Sequence, residues 1–76
     1  MNIEDQLKKI FFDVLEIEAD DIEPDKSLAV SLGIDSTEMV ELNVVIKKSF
    51  NLDIPTSTFK KTQSFNDIVK FLKEIM

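Results

Sequence analysis

Apolar residues fall at Ile3, Leu7, Ile10, Phe11, Val14 and Leu15, spaced so that they share one face of a helix. The pattern predicts a helix from about Ile3 to Glu16, with Asn2 as its N-cap and Asp5 in its first turn. A second stripe runs through Met39, Leu42, Ile46 and Phe50, and Val40, Val44 and Val45 widen it. Asn43 to Ile46 alone would also suit a strand, but Glu38, Glu41, Lys47 and Lys48 keep helical spacing and favour a helix opening near Ser36. A third stripe, Phe65, Ile68, Val69, Leu72 and Ile75, follows Ser64, with Asp67 at the capping-box position.

Two connections join these helices. From Ile17 to Asp35 the chain reads as a long loop, because Pro24 and the charges around it break any continuous helix. Ile22, Leu28, Val30, Leu32 and Ile34 predict that the loop lies on the core. Loops this long inside a small domain are uncommon and often functional. Asn51 to Pro55 reads as a turn, and Thr56 to Lys61 as a short helical turn anchored by Phe59. The expected fold is all-α, one domain over residues 1–76: a small bundle of three main helices and one short one, with a long loop between the first two main helices.

Composition narrows the chemistry. The chain has no Cys and no His, so thiolate chemistry, disulfides and the usual general base near neutral pH are missing. No basic segment leads into an apolar run, and no apolar run approaches a membrane span, so a cytoplasmic location is expected. The net charge of −6 is uneven. Up to Glu41, twelve acids face three lysines, a balance of −9; beyond it, three acids face six lysines, a balance of +3. The acidic half disfavours nucleic acid and anionic membranes and would attract a basic protein surface.

The informative stretch is Leu32-Gly33-Ile34-Asp35-Ser36. Gly33 permits a sharp turn, Ile34 can anchor it, and Asp35 with Glu38 suits a helix cap. Ser36 then stands at the first helical position, exposed, where unpaired N–H groups and partial positive charge would favour a phosphate ester. Asp35 opposes such an ester by its charge, so its expected part is to bind metal or a basic residue of an enzyme that modifies Ser36.

This run, followed by Glu38, Val40, Glu41 and Leu42, resembles the attachment site of acyl carrier proteins. The resemblance extends over nearly the whole chain, through the amphipathic first helix, the long loop, the Phe50–Pro55 turn with Asp53-Ile54-Pro55, and the last helix. It implies that Ser36 receives 4′-phosphopantetheine from coenzyme A and that the arm's thiol carries acyl groups as thioesters, for fatty-acid or more specialised lipid or polyketide-type synthesis. A chain without Cys could thereby serve thioester chemistry. The implied partners are a phosphopantetheinyl transferase and acyl-transfer, synthase or ligase enzymes, met by a monomer that is not itself an enzyme. The resemblance also implies that Leu42, Val45, Ile54, Phe59, Ile68 and Leu72 can line a cavity for the carried chain; as an ordinary core they would serve equally well.

The chain departs from the family in its charges. Thr37 stands where an apolar residue usually contacts partners. Glu38 and Glu41 fit an acidic docking helix, but Lys47, Lys48, Lys60 and Lys61 replace residues that are often acidic. A specialised carrier, with a docking surface negative near Ser36 and positive farther along, is one reading; lysines that only balance solvated faces are the other. Rival functions are weaker. Asp21, Glu23 and Asp25 alternate like calcium ligands, but Lys26 stands where an EF-hand loop needs Gly and Leu32 where it needs Glu. Ser36 with Asp35 lacks a base for nucleophilic catalysis. An unmodified helical interaction module remains the alternative, in which Ser36 would be dispensable.

Overall fold

Every α-helix of this protein begins where a side chain can take up an unpaired backbone N–H. In the computed structural model, which describes residues 2–76, α1 spans Ile3–Leu15, and the Asn2 side chain accepts from the Asp5 N–H at 2.8 Å. The short α2, Leu28–Leu32, is capped by Ser27, whose hydroxyl accepts from the Val30 N–H. α3 spans Ser36–Ser49 and α4 Phe65–Ile75; both open with a reciprocal capping box, Asp35 with Glu38 and Ser64 with Asp67. Each cap satisfies orphan donors and contributes about 1 kcal/mol.

The helix ends are equally local. α3 closes with Asn51 in the left-handed region at φ 55°; the Asn51 N–H donates to Lys48 and the Leu52 N–H to Lys47 at 2.9 Å. This pairing is a Schellman motif, with Asn in the position where the left-handed conformation is required. Lys47 and Lys48 lie in the last turn, where their charge complements the helix dipole.

The core is built as the stripes predicted. Leu7, Ile10 and Phe11 of α1 meet Met39, Leu42 and Ile46 of α3 and Phe65, Ile68, Val69 and Leu72 of α4. Phe11 and Phe65 meet edge-to-face with centroids 5.6 Å apart. Three expected apolar positions differ. Val30 is 81% exposed, Val40 51% and Ile75 45%. Val30 and Val40 flank the start of α3 rather than fill the core, and Ile75 lies in the last turn of α4, beyond the packed interior.

The two connections also differ from expectation. The 17–35 segment is not structureless: it contains a 3₁₀ turn at Ala19–Asp21 and then α2. It is fastened to the start of α4 by Leu28 N–H to Gln63 O and Ala29 N–H to Lys61 O, both 2.9 Å, and by an isolated antiparallel bridge between Ser27 and Ser64. The Asn66 side chain further donates to Asp25 at 2.7 Å. Conversely, 56–61 forms turns and bends, with no helix. The reason is competition for its backbone. Both the N–H and the hydroxyl of Thr58 donate to the Pro55 carbonyl, and both backbone groups of Phe59 are bonded to the Asn43 side chain.

Candidate functional site

Gly33 ends α2 at φ 66°, and Ile34 is buried immediately after it. This turn sends the chain from α2 into α3 within three residues, Gly33, Ile34 and Asp35. A side chain at residue 33 would meet nothing within 4 Å, so the glycine answers a backbone need and not a lack of space.

Asp35 is extended (φ −95°, ψ 178°), and its Oδ1 accepts from the Glu38 N–H at 2.8 Å. Glu38 Oε1 accepts in return from the Asp35 N–H at 3.1 Å. The box closes between these two residues and leaves the Ser36 hydroxyl outside it, exposed at the first position of α3. The N–H groups of Ser36 and Thr37 lie before the first intrahelical donor, Met39. A phosphate ester on Ser36 would therefore fit here: the site offers room, two backbone donors and the positive end of a helix.

The other expected residues are distributed along α3. Thr37 and Glu41 are exposed, Glu38 is half-buried in the box, and Lys48 is exposed at the far end. Thr37, Glu41 and Lys48 share one outer face at helical spacing, while Lys47 lies around toward the Ser36 side. With 1.5 Å of rise per residue, acidic Glu38 and basic Lys47 stand roughly 14 Å apart along the axis.

Beside Ser36 lies an open cleft of about 320 Å³. Ser36, Met39, Val40 and Asn43 form its α3 wall. Thr56, Ser57, Phe59, Lys60, Lys61 and Thr62 form the other. Of the six expected cavity residues only Phe59 reaches this cleft. Leu42, Ile68 and Leu72 are fully buried in the core, and Val45 and Ile54 are half-buried against it.

The residue that sequence reading missed is Asn43. It is 1% exposed, in the middle of an apolar stripe. Its Nδ2 donates to Met39 O at 2.7 Å and to Phe59 O at 2.9 Å, while its Oδ1 accepts from the Phe59 N–H at 2.9 Å. Leaving such buried groups unpaired would cost about 1–3 kcal/mol each, so the amide clamps the 56–62 segment to α3. The signal in the sequence was a lone Asn between apolar neighbours on a helix face. Asp21, Glu23 and Asp25 are engaged separately or exposed: Glu23 pairs with Lys26 at 3.2 Å, and Asp25 accepts from Asn66.

Comparison with known proteins places this geometry. A family model describing the phosphopantetheine attachment site matches residues 5–72. The acyl carrier protein of Akkermansia muciniphila is 30% identical over 74 residues, covering 97% of this chain and 92% of that one. The acyl carrier protein of Syntrophus aciditrophicus is 32% identical over 73 residues, covering 96% and 91%. Family model, relatives and helical architecture agree: the chain belongs to the acyl carrier protein family, whose members are carriers that work through a phosphopantetheine arm.

Proposed function

We propose that Ser36 is the attachment point of 4′-phosphopantetheine in this carrier, and that residues 1–76 act as a single carrier domain. The observation that supports this most directly is the exposed Ser36 hydroxyl at the first position of α3, outside a capping box that holds its neighbours still. In the loading step the Ser36 oxygen attacks the pyrophosphate of coenzyme A. A serine phosphodiester forms, the nucleotide half leaves, and the hydroxyl proton passes to a base on the transferase. Asp35 keeps one oxygen on the Glu38 N–H and offers the other to a cation or basic residue of that enzyme. Once attached, the arm supplies the thiol on which acyl groups are carried.

The chain itself performs no catalysis in this reading. Acyl-transfer, synthase or ligase enzymes dock on α3, through Thr37, Glu38 and Glu41 near the arm and through Lys48 at the far end of its outer face, with Lys47 beside it on the Ser36 side. An enzyme with a basic patch and, some 14 Å away, an acidic one suits this face (1.5 Å rise per residue). We place the protein in the cytoplasm as a monomer; no helix among the described residues is long and apolar enough to cross a membrane.

The test is intact mass before and after incubation with coenzyme A and a broad-specificity phosphopantetheinyl transferase, with Ser36→Ala as control. A gain of one phosphopantetheine by the native chain and none by Ser36→Ala is expected. No gain on folded, unmodified protein would leave an unmodified interaction module as the better account.

A further inference from the structure

An apolar chain carried on an arm at Ser36 has two places to go: into the interior between α3 and α4, or along the open cleft. Phe59 occupies the first. Its ring is 2% exposed and meets Phe71 of α4 edge-on, with centroids 5.1 Å apart at 86°. Its backbone is bonded at both N–H and C=O to Asn43 of α3. The residue therefore wedges between the two helices, fixed to one by hydrogen bonds and to the other by its ring. Behind it Leu42, Ile68 and Leu72 are 0% exposed. A chain entering there must push the ring aside and pull the Phe59 backbone off a buried amide that would find no replacement partner in an apolar interior. No buried side-chain N or O among the described residues is unpaired at present, so the closed form has no polar strain to relieve by opening.

The cleft is the remaining place. Its volume of about 320 Å³ lies at the small end of ligand sites, room for part of an arm and a few carbons. Met39 and Val40 give it an apolar side, and Val40 is half exposed at its mouth. Thr56, Ser57, Lys60 and Lys61 give it a polar lip. Neither lysine forms an ion pair with any described residue.

We infer that the Asn43–Phe59 clamp closes this carrier's core to cargo, so that it carries short acyl groups against Met39 and Val40 in the outer cleft, not long chains in its interior. The inference rests on Ser36 as the attachment point and adds the class of cargo.

The experiment loads the native chain with butyryl-, octanoyl- and tetradecanoyl-phosphopantetheine from the matching acyl-coenzyme A, and intact mass is read first. Failure to load removes the attachment reading, and the cargo inference with it. With loading complete, two readouts decide the inference alone: the rate of thioester cleavage by hydroxylamine, and the methyl resonances of the chain. Cleavage rates equal to within about twofold across the series are expected, because an exposed thioester needs no opening event before attack. Methyl signals of Met39 and Val40 should move on loading, and those of Leu42, Ile68 and Leu72 should stay in place. Slowing by about tenfold for the tetradecanoyl form, with shifts at Leu42, Ile68 and Leu72, would overturn the inference, since protection reports a buried thioester. Phe59→Ala supplies the converse. If folded, it should acquire chain-length-dependent protection, and a folded variant without it would show that the clamp is not what closes the core. Should that variant not fold, the native series still decides.

Discussion

The two irregular connections of this protein, 17–35 and 51–63, do similar work by different means. The first crosses the end of the bundle at which Ser36 stands; the second runs back from the far end of α3 to the start of α4 and forms one wall of the cleft beside Ser36. The first is held at many points: the Ser27 cap, buried Ile22, Leu28 and Ile34, the left-handed Gly33, and backbone bonds to Lys61 and Gln63. The second shares those two backbone bonds and rests Leu52 and Ile54 partly on the core, but its one fully buried side chain is Phe59, whose backbone is bonded to one distant amide, Asn43. A connection with distributed holds should lose little when one is removed. A connection with a single wedge should lose much.

Substitutions sharpen that contrast in order of size. Phe59→Ala should be the most damaging, by about 3–5 kcal/mol in urea unfolding, because it leaves a cavity where a large ring was buried. Asn43→Ala should follow at about 2–3 kcal/mol, since it orphans the buried N–H and C=O of Phe59 while removing little apolar volume. In the first connection, Gly33→Ala should cost about 1–2 kcal/mol through its left-handed backbone alone, and Gly33→Asn should recover part of that. Ser27→Ala should cost about 1 kcal/mol, the worth of an N-cap. For a domain of this size 1 kcal/mol moves the thermal midpoint by about 4–8 °C, so a melting series would resolve the order. Equal losses in the two connections would break the comparison.

The same contrast explains what was legible in the sequence. α1, α3 and α4 could be read because their apolar stripes and caps are local: Asn2 with Asp5, Asp35 with Glu38, and Ser64 with Asp67 all lie three residues apart. The Ser36 turn was legible for the same reason, Gly33 being the chain's only glycine and standing just before a capping pair. α2 was not read, because five residues give too few periods to show a stripe, although Ser27 and Gly33 bracket it. The 56–61 segment was misread because its hydrogen bonds go to Asn43, sixteen residues from Phe59, and no local pattern reports such a partner. Val40 was assigned to the core by hydrophobicity, yet it stands at the cleft, where an apolar surface serves a bound group.

The pairing of Ser27–Ala29 with Lys61–Ser64 also has a kinetic side. The three long helices can nucleate from neighbouring residues. The pairing joins two segments with the whole of α3 between them, so its loop-closure entropy must be met first. It should therefore form last in folding and open first in the native state. The amides of Leu28 and Ala29 would exchange with solvent ahead of those in the middle of α1 or α3. The seat of Ser36 would then loosen on its own, in excursions that leave the bundle intact, and a modifying enzyme would meet a serine whose approach adjusts without unfolding the protein.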